Sequence, residues 1–216
     1  MIDENKTVEE YTDYKNEMLL QTNSFIKIRQ WIKENLEDLN KENWSTFIQS
    51  MAYLHPQAYG PYIQKKLIED LNLTKIKSSD DKGDFLDQFG DHYELKVSLI
   101  TDCFQKINLV QIRPWQKTNY YFIAFVLNEK GVHAYCFKLS HQEMKNEIEL
   151  TNMGAAHGTK NAIIENKNIE LRISIPIDVN NDIFCRWFEN YRSGLFDNKV
   201  DVISPKSLDD VKKMYE

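Results

Sequence analysis

Within GDFLDQFGDHYELKVS, residues 83–98, two acids and a lysine are spaced so that neighbouring strands can bring them together. From His92 to Leu99 the residues alternate strictly. Tyr93, Leu95, Val97 and Leu99 belong on one face of a strand, and His92, Glu94, Lys96 and Ser98 on the other. Gly90-Asp91 offers a turn, so residues 83–89 are expected to fold back as the partner strand. With Phe85 and Phe89 on the apolar face, Asp84, Leu86 and Gln88 share a face with Glu94 and Lys96.

Two carboxylates held together repel each other, and a divalent cation removes the conflict. Asp84 and Glu94, with the Leu95 backbone carbonyl, offer hard oxygen ligands of the kind Mg²⁺ takes while keeping several waters. Lys96 can orient or deprotonate an attacking water and offset charge on phosphorus. The chemistry in view is metal-assisted hydrolysis of a phosphodiester. The acid-x-Lys pattern alone is cheap, for it recurs at Glu4-Lys6, Asp80-Lys82, Glu143-Lys145 and Asp210-Lys212. Its setting is what separates this instance: a helix, then Gly-Asp opening a strand, a turn, and Glu-Leu-Lys inside an alternating strand. Asp87 is the rival acid, since a two-residue turn would set it opposite Glu94. That register exposes Phe85 and Phe89, at roughly 1.5–3 kcal/mol of lost burial each, which favours Asp84. The competing reading is a solvated strand face bearing a weak ion pair.

The elements that must position these residues follow from periodicity. A chain of 216 residues with 42% hydrophobic and 28% charged residues can bury a proper core. Residues 8–38 carry apolar stripes at helical spacing broken near QTNS, Trp44 to Tyr53 form another helix, and residues 60–72 a further one after AYGP. The period then changes to two. Strands are expected over 83–89, 92–100, within 106–113, over 120–127 and 132–139, and from 169. SHQE at 140–143 reads as a capping box. Phe184, Trp187, Phe188 and Tyr191 mark a helix, and the last ten residues another. The run 120–127 is apolar on both faces, as a central strand under helices would be. The fold class is α/β, with helices flanking a mixed sheet in three layers. Residues 1–55 read as an N-terminal helical extension and 56–216 as the core.

Composition narrows the setting. Cys103, Cys136 and Cys185 are odd in number and far apart, against a disulfide framework or a zinc site. A net charge of −6 counts mildly against indiscriminate coating of nucleic acid. No signal-peptide layout or membrane-length apolar run is present, so a cytoplasmic location with no membrane partner is expected.

The segment at 83–98, with the helix before it, resembles the core of the PD-(D/E)XK nuclease superfamily, in which a hairpin carries Asp and then Glu-x-Lys. INLVQIRPWQKTNYYFIAFVL and MGAAHGTK are similar to segments of type II restriction endonucleases. The likeness is strongest over about residues 59–127. Gly83 stands where the family carries Pro. The resemblance implies a three-layer restriction-endonuclease-like core and catalysis by Asp84, Glu94 and Lys96. It places metal at Asp84, Glu94 and the Leu95 carbonyl, with Mg²⁺ as cofactor and Mn²⁺ able to substitute. In some members a glutamate on the preceding helix assists, and Gln64 or Glu69 could take that place. The implied substrate is double-stranded DNA, cut at specific sequences by a homodimer, with a cognate DNA methyltransferase encoded nearby.

Gln111, Arg113, Trp115 and Gln116 cluster before the central strand. Arg and Gln can contact bases bidentately or bridge phosphates, and Arg113 can equally serve a salt bridge. His157, Gly158, Thr159 and Lys160 can approach a phosphate or base edge closely, or form a plain surface loop. Lys82, with Lys65, Lys66, Lys75 and Lys77, can screen phosphate charge. Two other functions stay open: a structure-specific repair, recombination or phage-defence nuclease of the same superfamily, and a catalytically silent DNA-binding module of the same fold.

Overall fold

The computed structural model describes residues 23–76, 83–101, 106–151 and 170–215 of the chain. They fall into two compact units that divide between Leu54 and His55. In the first, residues 23–34 form helix α1, followed by α2 (Leu36–Lys41) and α3 (Trp44–Met51). Asn43 caps α3 by accepting from the Thr46 amide, satisfying a donor the helix leaves free. Trp44, Phe47, Ile48 and Met51 repeat at helical spacing and are buried.

The second unit opens with α4 (Pro56–Asp70), which begins earlier than the sequence pattern predicts. His55 caps it by accepting from the Gln57 amide, and Pro56 enters the first turn, where no amide is needed. Gly60-Pro61, read from sequence as a boundary, lies inside the helix. Pro61 has no N–H to donate to the Gln57 carbonyl one turn back, so that i→i−4 bond is missing from α4.

The strands are β1 (Thr74–Lys75), β2 (Phe85–Leu86), β3 (His92–Thr101), β4 (Lys106–Ile112), β5 (Asn119–Asn128), β6 (Gly131–Leu139) and β7 (Leu171–Pro176). β1, β2, β3, β5 and β6 form a mixed sheet in that order, with β3 and β5 parallel and the other neighbours antiparallel. β4 leaves this sheet and pairs with β7 in a separate antiparallel ribbon. The chain is thus a mixed α/β protein with N-terminal helices. No described helix is long and apolar enough to cross a membrane.

Strand parity sorts the side chains. Ile100, Tyr120, Phe122, Tyr135 and Phe137 face a core shared with the ribbon, with α5 (His141–Thr151), with α6 (Asp182–Tyr191) and with α7 (Leu208–Tyr215). On the other face the Phe85, Tyr93 and Tyr121 rings cluster, and Leu67 and Leu71 from the α4 end line a small apolar hollow with Phe85 and Tyr121. β5 is therefore covered on both faces, as its apolar run predicts. The capping box forms as read: the Glu143 amide donates to Ser140 Oγ, and the Ser140 amide donates to Glu143 Oε2.

Glu147 pins α6 to α5 beneath the sheet. Its buried carboxylate accepts from Arg186 Nε and Nη2, Trp187 Nε1 and Tyr191 Oη, at 2.8–3.0 Å. Burial works to raise this carboxyl, but the donors outweigh it and hold it below the ordinary glutamate value. Glu147→Ala strands those donors, so we expect a loss of about 3–5 kcal/mol in unfolding free energy by urea denaturation. A loss under about 1 kcal/mol would show that apolar packing alone holds α6.

Candidate active site

The hairpin at 83–98 forms in a shorter version than predicted. Phe85 pairs with Tyr93 and Leu86 with His92, and β2 ends there. Asp87 stops it: Oδ1 accepts from the Phe89 and Asp91 amides, while its own amide donates to the Asp91 carbonyl. The strand expected over 83–89 thus gives way to a tight turn over 87–91, and the two-residue turn of the rival register does not form. Phe89, expected on the apolar face, is 79% exposed at its tip.

Parity nevertheless separates the rival acids. Phe85 and Asp87 belong to the Tyr93 face, where Asp87 lies 3.6 Å from Lys138, whose ammonium sits over the Tyr93 ring. Asp84 belongs to the Glu94 side. Its amide donates to the Tyr93 carbonyl at 2.7 Å, and its Oδ2 accepts from the Leu95 amide at 2.8 Å. The side chain of Asp84 thereby continues a ladder that the backbone abandons. The geometry of a strand puts the Leu95 carbonyl on the same edge as its amide, facing the space beside Asp84. Further along, Tyr59 from α4 accepts from the Leu99 amide at 3.2 Å.

Gly83 makes this possible. Its φ is +97°, and a Cβ there would stand 2.6 Å from the Tyr93 carbonyl oxygen and 2.8 Å from Thr118 Oγ1. Proline, fixed near −65°, cannot adopt that backbone. A glycine at position 83 is a local requirement of this hairpin.

Glu94 and Lys96 do not sit on a solvated face. The β4–β7 ribbon crosses it, and the Asn108 amide donates to Ser98 Oγ at 3.1 Å. The side chains of Glu94 and Lys96 are 11% and 14% exposed, with Lys96 Nζ 2.6 Å from Glu94 Oε1. Burial pushes the Glu94 carboxyl up. Lys96 pulls it back, the Asp84 charge adds to the rise, Arg113 draws it down, and the net direction is upward.

These groups form the floor of a cleft of about 310 Å³. One wall is the α4 face of Gln57, Gly60, Pro61 and Gln64; the other is Val110 and Gln111 of β4. The α4 wall has helical spacing i, i+3, i+4, i+7, a signal in the sequence that the reading of Gly60-Pro61 as a boundary concealed. Gln64 reaches the cleft, whereas Glu69 lies 3.9 Å from Lys65 and does not line it.

The other site residues predicted from sequence disperse. Gln111 is exposed and lines the cleft. Arg113 donates through Nε and Nη2 to Glu170 Oε1 at 3.0 and 2.9 Å, the salt-bridge option. Gln116 is 5% exposed, so its amide faces the interior instead of a duplex. Lys66 is buried with Asp70 3.8 Å away. Lys82, His157, Gly158, Thr159 and Lys160 lie outside the described residues.

Among the described residues no cluster of three or more His, Cys, Asp or Glu side chains is present. The donor set here is two carboxylates, a main-chain carbonyl and the Gln64 amide, all hard and mostly oxygen. That set, with room for water in the cleft, suits a magnesium-like ion, which retains several waters when few carboxylates hold it. No family model matches the chain, and a search of curated proteins finds no match.

Two outcomes are expected. Gly83→Ala should cost more than about 2 kcal/mol because the Tyr93 backbone must move. Gly90→Ala, at φ +83° in open space, should cost only about 1 kcal/mol. Equal melting temperatures for the two variants would remove the steric argument. Second, carboxyl NMR titration without divalent cations should place Glu94 above the ordinary 4.5. The folded state then holds this proton more tightly than the unfolded chain. The Glu94 contribution to stability is present below about pH 4.5 and lost as pH rises through the raised value. A value below 4.5 without cations would contradict the burial argument.

Proposed function

We propose that the chain is a Mg²⁺-dependent endonuclease that hydrolyses phosphodiester bonds of double-stranded DNA at specific sequences, in the manner of a type II restriction enzyme. The observation that carries this reading is that Asp84, Glu94 and Lys96 line one open cleft, Glu94 buried and the other two half-buried, with Lys96 2.6 Å from Glu94. The mixed sheet with elements on both faces is compatible with a three-layer, restriction-endonuclease-like core. The family resemblance of the hairpin supports the assignment, and the homodimer and the cognate methyltransferase rest on that resemblance alone. A two-fold palindrome calls for a two-fold protein.

Asp84 and Glu94, with the Leu95 carbonyl, would hold Mg²⁺ or Mn²⁺, with Gln64 assisting. The ion, when bound, supplies Lewis-acid stabilisation of the phosphate charge and lowers the pKa of a bound water. The chain's own residues do the rest. Lys96 Nζ, held by Glu94, orients the attacking water and offsets negative charge as the phosphorus takes on a fifth oxygen. The new P–O bond forms from water as the bond to the leaving sugar oxygen breaks, and that oxygen gains a proton. Asp84 is fixed through the Leu95 amide, so its free oxygen is preorganised before substrate arrives. Cation binding competes with the proton on Glu94, so activity should rise with pH through the raised Glu94 value.

Incubating the full chain with mixed plasmids and Mg²⁺, against an EDTA control, tests the reading. Discrete bands are expected; smearing or cutting only at junctions favours a structure-specific nuclease, and no cutting favours a silent binding module. Asp84→Ala, Glu94→Ala and Lys96→Ala should each lower cleavage at least about 100-fold with unchanged circular dichroism. Wild-type cleavage by all three variants would overturn the assignment.

A further inference from the structure

Gln111 has φ +57°, in the left-handed region that its Cβ disfavours. The cause is a bulge: the β4–β7 register runs through Leu109↔Ile173 and then shifts before Ile112↔Leu171. Leu109 and Ile112 are 1% and 0% exposed, so the bulge is anchored at both ends in the core. Between them Val110 and Gln111 turn out of the ladder into the cleft that holds Asp84, Glu94 and Lys96. Glycine would take this backbone without penalty. A glutamine on this strained backbone, exposed and lining the candidate active site, points to a use for the carboxamide.

Resting on the nuclease reading, we propose that Gln111 reads the edge of a base beside the scissile phosphate. Its carboxamide carries one acceptor and one donor group on a short fork, the complement of adenine N6 and N7 in the major groove. A neutral amide adds nothing to long-range attraction for phosphate, so its contribution is to sequence preference instead of general affinity. Arg113, two residues on, is held by Glu170, and Gln116 is buried. Of Gln111, Arg113 and Gln116, Gln111 is the one that lines the cleft.

The test pairs Gln111→Gly with Gln111→Asn, which keeps an amide and tolerates the left-handed region. Each full-length variant and the wild type would cut a randomised duplex library with Mg²⁺, and the cut ends would be sequenced. Binding to the preferred duplex would be followed by anisotropy in Ca²⁺. For Gln111→Gly we expect an equal or higher melting temperature, a loss of about tenfold or more on the preferred site, and relaxed preference for adenine at one position. The salt dependence of binding should not change. Gln111→Asn should retain part of the preference. Wild-type rate and base preference in Gln111→Gly would overturn this inference alone. So would an equal loss on every sequence, which belongs to a phosphate or metal contact. If the wild type neither cuts nor binds DNA, the nuclease reading fails and this inference with it.

Discussion

The arrangement depends on a strand edge left open. β2 pairs with β3 only at His92 and Tyr93, and beyond that point the edge of β3 away from β5 has no strand beside it among the described residues. Buried backbone polar groups must find partners. Asp84 Oδ2 takes the Leu95 amide and the Tyr59 hydroxyl takes the Leu99 amide, while the Leu95 carbonyl faces the cleft. One short strand thus creates both the opening and the reason for an aspartate at its mouth.

The same opening explains how Glu94 tolerates burial beside the half-buried Asp84 and Lys96. The ribbon of β4 and β7 shields Glu94, Lys96 and Ser98 from bulk water, and the cleft lets a small hydrated species approach from the side. A buried ion pair is weak as a stabilising device, because desolvation offsets most of the attraction. The Lys96 contact does not bring Glu94 back to its ordinary titration range, so a positive charge is still favoured beside it. The hydrophobic core that continues this same face beneath the ribbon, with Glu147 fixing α6 against α5, gives β3 and β5 a rigid backing. Preorganisation of that kind is what a hydrolytic site requires.

Local chemistry was readable from residues alone, and non-local coverage was not. Strict alternation fixed which side chains of β3 share a face, and the apolar run of β5 and the Ser140–Glu143 box formed where their patterns put them. The turn over 87–91 escaped because Asp87 can replace backbone hydrogen bonds with its own oxygens, which ends a strand that alternation alone would continue. α4 began early because a proline at the first turn and another inside a helix look alike in a string of letters. Only the folded chain reveals that β4 abandons the main sheet to cover Glu94. The same departure buries Gln116 and engages Arg113 with a residue 57 positions away.

The central claim is that Asp84 and Glu94 form one cation site, and calorimetric titration of Mn²⁺ into the full chain at neutral pH tests it most directly. Saturable binding to the native chain is predicted, with loss of that binding in an Asp84→Asn, Glu94→Gln double variant that still folds. Equal binding by the native chain and the double variant, or no binding by either, would contradict it.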